Sequence, residues 1–290
     1  MARTWRINSG YLFVAPSMTI IALFVVWPIV QAFWMSLHDW SFLAVDRPFV
    51  GLDNYRELLR DDRFWNALQV TAVYTIGSVP TQIVLALAVA LALNERLRGV
   101  SWFRAAYFFP VISSLAVMAI VWGFLLDPDI GLLAYWLSHL GLTPTDVLQS
   151  TTWALPAVIA VGIWKNLGFT MVILLAGLQG IPPGLYEAAS IDGAGRWARF
   201  WDITLPGLRQ TMLFVTVIGV IASLQAFDQV YVMTRGGPLF TTETLVTYMY
   251  YQAFNLFRMG YGASVAWVLF LIIMVVSVLQ LRLFRYHDVD

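Results

Sequence analysis

Two small groups of polar side chains stand inside long apolar runs, and their types suit the binding of a solute. The first is Lys165 with Asn166. Gly162, Asn166 and Phe169 recur at helical spacing and so share one face. The second is Ser223, Gln225, Asp228 and Gln229. Asn166, Ser223 and Gln225 offer hydrogen bonds to hydroxyl groups, and Phe169 offers an aromatic surface. Ionisable groups inside an apolar span are costly and point to function. A plainer role competes with this one. Asn and Gln in apolar helices bond neighbouring helices for about 0.6–2 kcal/mol each, and Lys165 can snorkel outward or pair with Asp228. An unpaired Lys165 facing a cavity would favour an anionic solute such as a phosphorylated polyol. Paired with Asp228, it would leave a neutral sugar equally acceptable.

The same inventory argues against an enzyme. There is no cysteine, which removes disulfides, thiolate catalysis and Cys-ligated metals. His38, His139 and His287 lie in different loops, and no H-E-x-x-H occurs. A phosphate-binding loop needs Gly directly before Lys, whereas the only lysine, Lys165, follows Trp164. ATP hydrolysis through that motif must therefore come from another chain. Gly262-Ala263-Ser264 weakly resembles a fragment of membrane serine proteases, but no histidine accompanies it within a span, and helix packing accounts for it better. No catalytic residue and no metal site are expected.

The elements that position these residues follow from composition. Of 290 residues, 60% are hydrophobic and 12% charged, and the mean hydropathy is +0.73. A soluble domain would carry roughly twice that charged fraction. Six runs reach the ~20 apolar residues that a crossing helix needs: 11–37, 66–93, 104–126, 152–178, 207–229 and 262–284. The predicted fold is all-α, a polytopic membrane protein with about six transmembrane helices in a single domain, 1–290. The first run is too long for a signal peptide and is read as an uncleaved span. Net charge is zero, with 17 basic and 17 acidic residues, which gives no electrostatic case for nucleic acid. One side of the membrane receives ten arginines (3, 6, 96, 98, 104, 196, 199, 209, 282 and 285) against six on the other (47, 56, 60, 63, 235 and 258). The richer side is expected to be the cytoplasm, with both termini there. In the opposite loops, Asp53 is expected to cap a short helix through Arg60, with Phe64 and Trp65 at the interface. Leu132, Leu133, Trp136, Leu137 and Leu140 suit a surface helix.

The loop between the fourth and fifth runs, about 180–206, has its own pattern. Pro182 and Pro183 suit a helix start, and Glu187 near that start complements the helix dipole. Ala188, Ala189 and Ala194 are small enough for close approach to a partner surface, and Gly193 and Gly195 break the helix. Trp197, Phe200, Trp201 and Thr204 share one face of a second helix, which Pro206 is expected to end.

Glu187-Ala188-Ala189, Asp192-Gly193-Ala194, then Phe200, Ile203, Leu205 and Pro206 at these spacings resemble the EAA motif. That motif marks permease subunits of binding-protein-dependent ABC importers. One departure is Gln210, where many members have proline. The resemblance implies that Glu187, Ala188, Ala189, Asp192, Gly193 and Ala194 form a coupling helix that docks on a cytoplasmic ATPase subunit. It implies a second homologous permease, two ATPase subunits using ATP and Mg, an extracellular solute-binding protein, and a prokaryotic inner-membrane location with lipid contact. No cofactor is expected in this chain. Gly51–Tyr55 with Phe64-Trp65, Leu178–Tyr186, and Val232–Pro238 with Thr244 and Tyr248–Phe254 resemble the sugar and glycerol-phosphate branch. In the predicted topology Gly236, Gly237 and Pro238 would face the binding protein. A self-contained secondary transporter is the alternative, but no inverted repeat is evident and the EAA loop would have no role in one.

Overall fold

The computed structural model describes residues 9–95, 99–141, 143 and 145–285. Arg3, Arg6, Arg96 and Arg98, which enter the charge count above, lie outside these residues, as does His287. The described chain is helical, with isolated bridges in place of strands. Among the described residues, five helices are long and apolar enough to cross a membrane: Phe13–Ser36, Asp62–Asn94, Ala154–Gln179, Arg209–Met233 and Met259–Leu283. A sixth crossing is a bent pair, Val100–Ile112 and Leu115–Leu125.

That pair corrects the continuous third span expected over 104–126. The two halves meet at 100°. Ser113 and Ser114 are extended, with ψ of 147° and 131°. Serine is less favoured in a helix interior than at a helix end, and the helix runs on through Pro110 to stop at this pair. Ser114 then starts the second half, its carbonyl accepting from Met118 N–H at 3.0 Å. The halves follow different neighbours: the first packs on Ala154–Gln179, the second mainly on Asp228–Met233. The fifth span is interrupted too, because Arg209–Leu224 ends before Asp228–Met233 begins.

Prolines elsewhere are accommodated without a break. A π turn at Ala22–Val26 precedes Pro28, and another at Phe200–Thr204 precedes Pro206. In each case the carbonyl four residues before the proline lies within the widened turn, which relieves the clash a proline makes there. Pro206 therefore does not end the second loop helix as expected. The chain stays helical through Leu205–Gly207 and resumes as Arg209–Leu224.

The chain divides into two compact units, 1–61 with 249–270, and 62–248 with 271–290. In the first, Asn54 Nδ2 donates to the carbonyls of Ser36 (2.8 Å) and His38 (3.1 Å), and Tyr261 Oη donates to Asp61 at 2.8 Å. Arg258 pairs with Glu57 at 2.6 Å, and Phe33 meets Trp267 edge-on at 4.9 Å. The short helix here is Asp53–Leu58. Asp53 is its first residue rather than its cap, and pairs with Arg56 at 2.7 Å.

The second unit is built on the span Asp62–Asn94 lying along Ala154–Gln179, with Arg209–Leu224 against the former. Ala67, Ala86 and Ala90 of the former, and Val158, Met171 and Leu174 of Ala154–Gln179, are all buried in the interior of this unit. Small residues let helices approach closely in lipid, where burial of apolar surface contributes little. Phe64 is buried within this unit, while Trp65 stays half exposed. A helix forms at Leu132–His139, where the leucine spacing predicts one, and Leu140 caps its end.

Candidate functional site

Three spans enclose a cavity of about 430 Å³. The fourth presents Gly162, Asn166, Phe169 and Thr170, and the second presents Tyr74, Ser78 and Gln82 at successive four-residue steps. The fifth supplies Ser223, then Gln225 and Phe227 from its break, and Asp228 and Gln229 from the helix that follows. Leu115, the first residue after the break in the third span, also lines it.

Part of this polar lining is internally satisfied. Gln229 Nε2 donates to the Tyr74 hydroxyl at 2.7 Å, and Gln82 Nε2 to Thr170 Oγ1 at 2.7 Å. Asn166 Nδ2 donates to Gly162 O at 3.0 Å, and Ser223 Oγ to Thr75 Oγ1 at 3.1 Å. Gly162 is required by the first of these contacts, since a β-carbon there would overlap the Tyr74 hydroxyl. Gln225 and Asp228, both exposed to the cavity, have no hydrogen-bond partner among the described residues, and the Asn166 side-chain oxygen is likewise open. These are the groups able to bond a solute. Asp228 is the one charged side chain of the lining, and no basic residue contributes to it among the described residues.

Six of the seven residues assigned to a solute path from sequence therefore meet at one cavity. Lys165 does not join them. It neither reaches the surface nor pairs with Asp228: it is buried, and its Nζ donates to the Val111 carbonyl at 2.8 Å, at the end of the first half of the broken span. The sequence reading missed Tyr74, Ser78, Gln82 and Thr170. The signal was present in the four-residue spacing of polar groups along an apolar helix.

The loop between the fourth and fifth spans forms a second candidate site. Pro182 caps and Pro183 begins a helix, Pro183–Ile191, none of whose residues is buried. Its end explains the spacing of the motif. Gly193 N–H bonds to Ser190 O at 3.3 Å, and Ala194 N–H reaches back to Ala189 O at 2.9 Å. Gly193 adopts φ +76°. This is a Schellman closure, in which the left-handed residue is best glycine. Asp192, Gly193 and Ala194 are thus the last three positions of one capping motif. Ala189 is its carbonyl acceptor. Glu187 lies in the second turn, beyond the reach of a helix-dipole effect, and is exposed, as are Ala188, Asp192 and Gly193. Leu185 and Ile191 project outward, Ile191 being 87% exposed. Tyr186 Oη meets Thr204 Oγ1 at 3.0 Å and Arg199 donates to Ser190 Oγ at 3.2 Å, fastening this helix to the next.

The third candidate, the Gly236-Gly237-Pro238 loop, is rigidly held. Glu243, buried, receives two hydrogen bonds from Arg63 at 2.7 and 2.8 Å. The Arg63 guanidinium covers the Phe240 ring at 3.9 Å, and Asn66 Nδ2 donates to Phe240 O at 2.9 Å. Gly236 is itself buried, at φ +86°. The accessible tip is Leu239, 84% exposed, with Phe240.

Comparisons with known proteins place this arrangement. Residues 59–288 match the family model described as binding-protein-dependent transport system inner membrane component. The trehalose/maltose transport system permease protein MalF of Thermococcus litoralis is 36% identical over 279 residues, covering 96% of this chain and 94% of that one. The lactose transport system permease protein LacF of Rhizobium radiobacter is 36% identical over 286 residues, covering 97% and 95%. Among solved structures, a bacterial ABC transporter involved in import of the acidic polysaccharide alginate shares the fold. Its TM-score is 0.85 at 23% identity, over 96% of this chain and 95% of that one.

Proposed function

The chain belongs to the family of binding-protein-dependent transport system inner membrane components, and on that premise we propose that it carries a neutral saccharide through the cavity between its second, fourth and fifth spans. It is a multi-pass permease subunit of an inner-membrane ABC importer for sugars rather than an enzyme or a self-contained secondary transporter. The observation that supports a neutral solute is the lining itself: amides, hydroxyls and three aromatic rings, Tyr74, Phe169 and Phe227, with one carboxylate and no cation among the described residues. A phosphorylated polyol would meet the Asp228 carboxylate with nothing opposite to compensate it. The relatives named for trehalose, maltose and lactose transport agree with this reading.

In this reading the pore is completed by a second, homologous permease. Two cytoplasmic ATPase subunits that use ATP and Mg supply the energy, and an extracellular solute-binding protein delivers the sugar. The exposed helix Pro183–Ile191, with Glu187, Ala188, Ala189, Asp192, Gly193 and Ala194, docks on an ATPase. Tyr186 and Arg199 pass its displacement to a nearly unbroken helical rod, Arg196 through Leu224, roughly 40 Å long at 1.5 Å per residue. The rod ends at Leu224, whose neighbours Ser223 and Gln225 line the cavity with Asp228, so motion of the loop reaches the cavity directly. ATP and the loaded binding protein stabilise different states of this element, which is what a population shift requires. Leu239 and Phe240, more than Gly236, Gly237 and Pro238, present the surface for the binding protein. Both termini face the cytoplasm in this topology.

The test is uptake by the reconstituted complex with its binding protein, offered neutral disaccharides and glycerol phosphate in parallel. Stimulation of ATP hydrolysis by a neutral saccharide alone is expected. Stimulation by the phosphorylated solute alone would reject the neutral assignment while leaving family membership intact.

A further inference from the structure

We propose that Lys165 is a positioning residue of the transport cycle, its ammonium group closing the open helix end in the third span and so fixing the wall of the cavity. The proposal rests on the importer reading above. The break at Ser113-Ser114 leaves the last carbonyls of Val100–Ile112 without helical N–H partners. In lipid no water satisfies them, so they need donors from the protein. Lys165 Nζ, 2.8 Å from Val111 O, is such a donor. It also places a positive charge where the aligned peptide dipoles of that half-helix leave a partial negative one. This accounts for a buried lysine that would otherwise be an unexplained cost within a span.

Placement gives the contact its consequence. Lys165 lies on the fourth span one residue from Asn166, which faces the cavity, and Leu115 lines that same cavity just beyond the break. The ammonium thus ties the fourth span to the point at which the third changes direction. The second half of the third span then packs on Asp228–Met233, the segment carrying Asp228 and Gln229. With the tie in place, a displacement of the fourth span carries the Leu115 wall with it. Without it, the two move independently, and ATP is consumed without ordered opening of the cavity.

The natural absence of cysteine makes the test direct. Leu115→Cys is introduced into the whole complex, with partner subunits made cysteine-free, in backgrounds of Lys165, Lys165→Met, Lys165→Gln and Lys165→Arg. Labelling of the introduced thiol is followed with and without trapped nucleotide, alongside ATP consumed per saccharide imported. Loss of a charged hydrogen bond predicts that both neutral variants assemble, consume roughly 10-fold more ATP per saccharide, and lose the nucleotide dependence of that labelling. Lys165→Arg, which keeps a cation and donor, restores both. Unchanged coupling and labelling in the neutral variants would overturn the proposal. So would failure of both to assemble while Lys165→Arg assembles, since the ammonium would then serve folding alone. If the complex with neither position substituted imports no saccharide, it is the transport reading that falls, and the labelling still reports the tie.

Discussion

Gly193 offers a graded test of the coupling loop, because its requirement is conformational and not spatial. Its φ is +76°, yet a β-carbon there would touch nothing within 4 Å. Any cost of substitution is therefore backbone strain. A left-handed L-residue costs roughly 1–2 kcal/mol, with Asn the most tolerant side chain. β-Branched residues are the least tolerant at positive φ. The order of damage is predicted as Gly193→Asn, then Ala, then Val. If the docked geometry needs the Schellman closure, each ~1.4 kcal/mol lowers the competent fraction about tenfold. Ala should then reduce binding-protein-stimulated ATP hydrolysis and uptake several-fold, and Val by at least ten. Gly195 is the internal control: it has ordinary φ (−69°) and equally open surroundings, so Gly195→Ala should be nearly silent. Membrane insertion, read by surface labelling, should be unchanged throughout. Equal activity of the Val and wild-type proteins, or equal damage by Asn and Val, would refute the reasoning.

Three further outcomes are expected. Glu187→Lys, on an exposed position with no partner among the described residues, should leave insertion and thermal stability unaltered while abolishing ATP-dependent uptake, checked by transport in proteoliposomes. Replacing Asn166 and Gln225 together with Ala removes two cavity-facing hydrogen-bonding side chains and should slow saccharide transport at least tenfold per assembled complex, measured as initial uptake at saturating binding protein. Glu243→Gln breaks a bidentate pair in which Glu243 is 2% and Arg63 24% exposed by side chain. Because Arg63 keeps some solvent, the cost should be about 2 kcal/mol, under the 3–5 of a fully buried pair. It should appear as weaker dependence of ATP hydrolysis on the binding protein, with basal hydrolysis unchanged.

What the sequence disclosed followed from periodicity and length. Apolar runs located the spans, and the Glu187–Ala194 spacing located the exposed loop helix. Its physical reason, a Schellman closure joining Ala189 to Ala194, needed backbone angles. The break in the third span was hidden because Ser113 and Ser114 sit in a run whose average hydropathy stays high. Lys165 was placed with Asn166 by adjacency, although neighbouring helical residues point about 100° apart. An Asn166 facing the cavity therefore sends Lys165 elsewhere. Tyr74, Ser78 and Gln82 were overlooked for the opposite reason: each is a common residue alone, and only their four-residue spacing marks a lining face. Pro206 reads as a stop, yet the π turn before it absorbs the clash and lets the helix continue toward the cavity. Such a turn is a property of backbone hydrogen bonding and leaves no mark of its own in residue type.

The central claim, that this chain is an importer's permease moved by partner ATPases through the Pro183–Ile191 helix, is met most directly by gentle solubilisation from the native membrane. What travels with the chain is identified, and ATP hydrolysis is then measured with and without saccharide-loaded binding protein. The account predicts a second permease and an ATPase in the same particle, with hydrolysis stimulated only by the loaded binding protein and lost in Glu187→Lys. A chain that purifies alone under conditions that keep a known importer intact, or stimulation that survives Glu187→Lys, would contradict it.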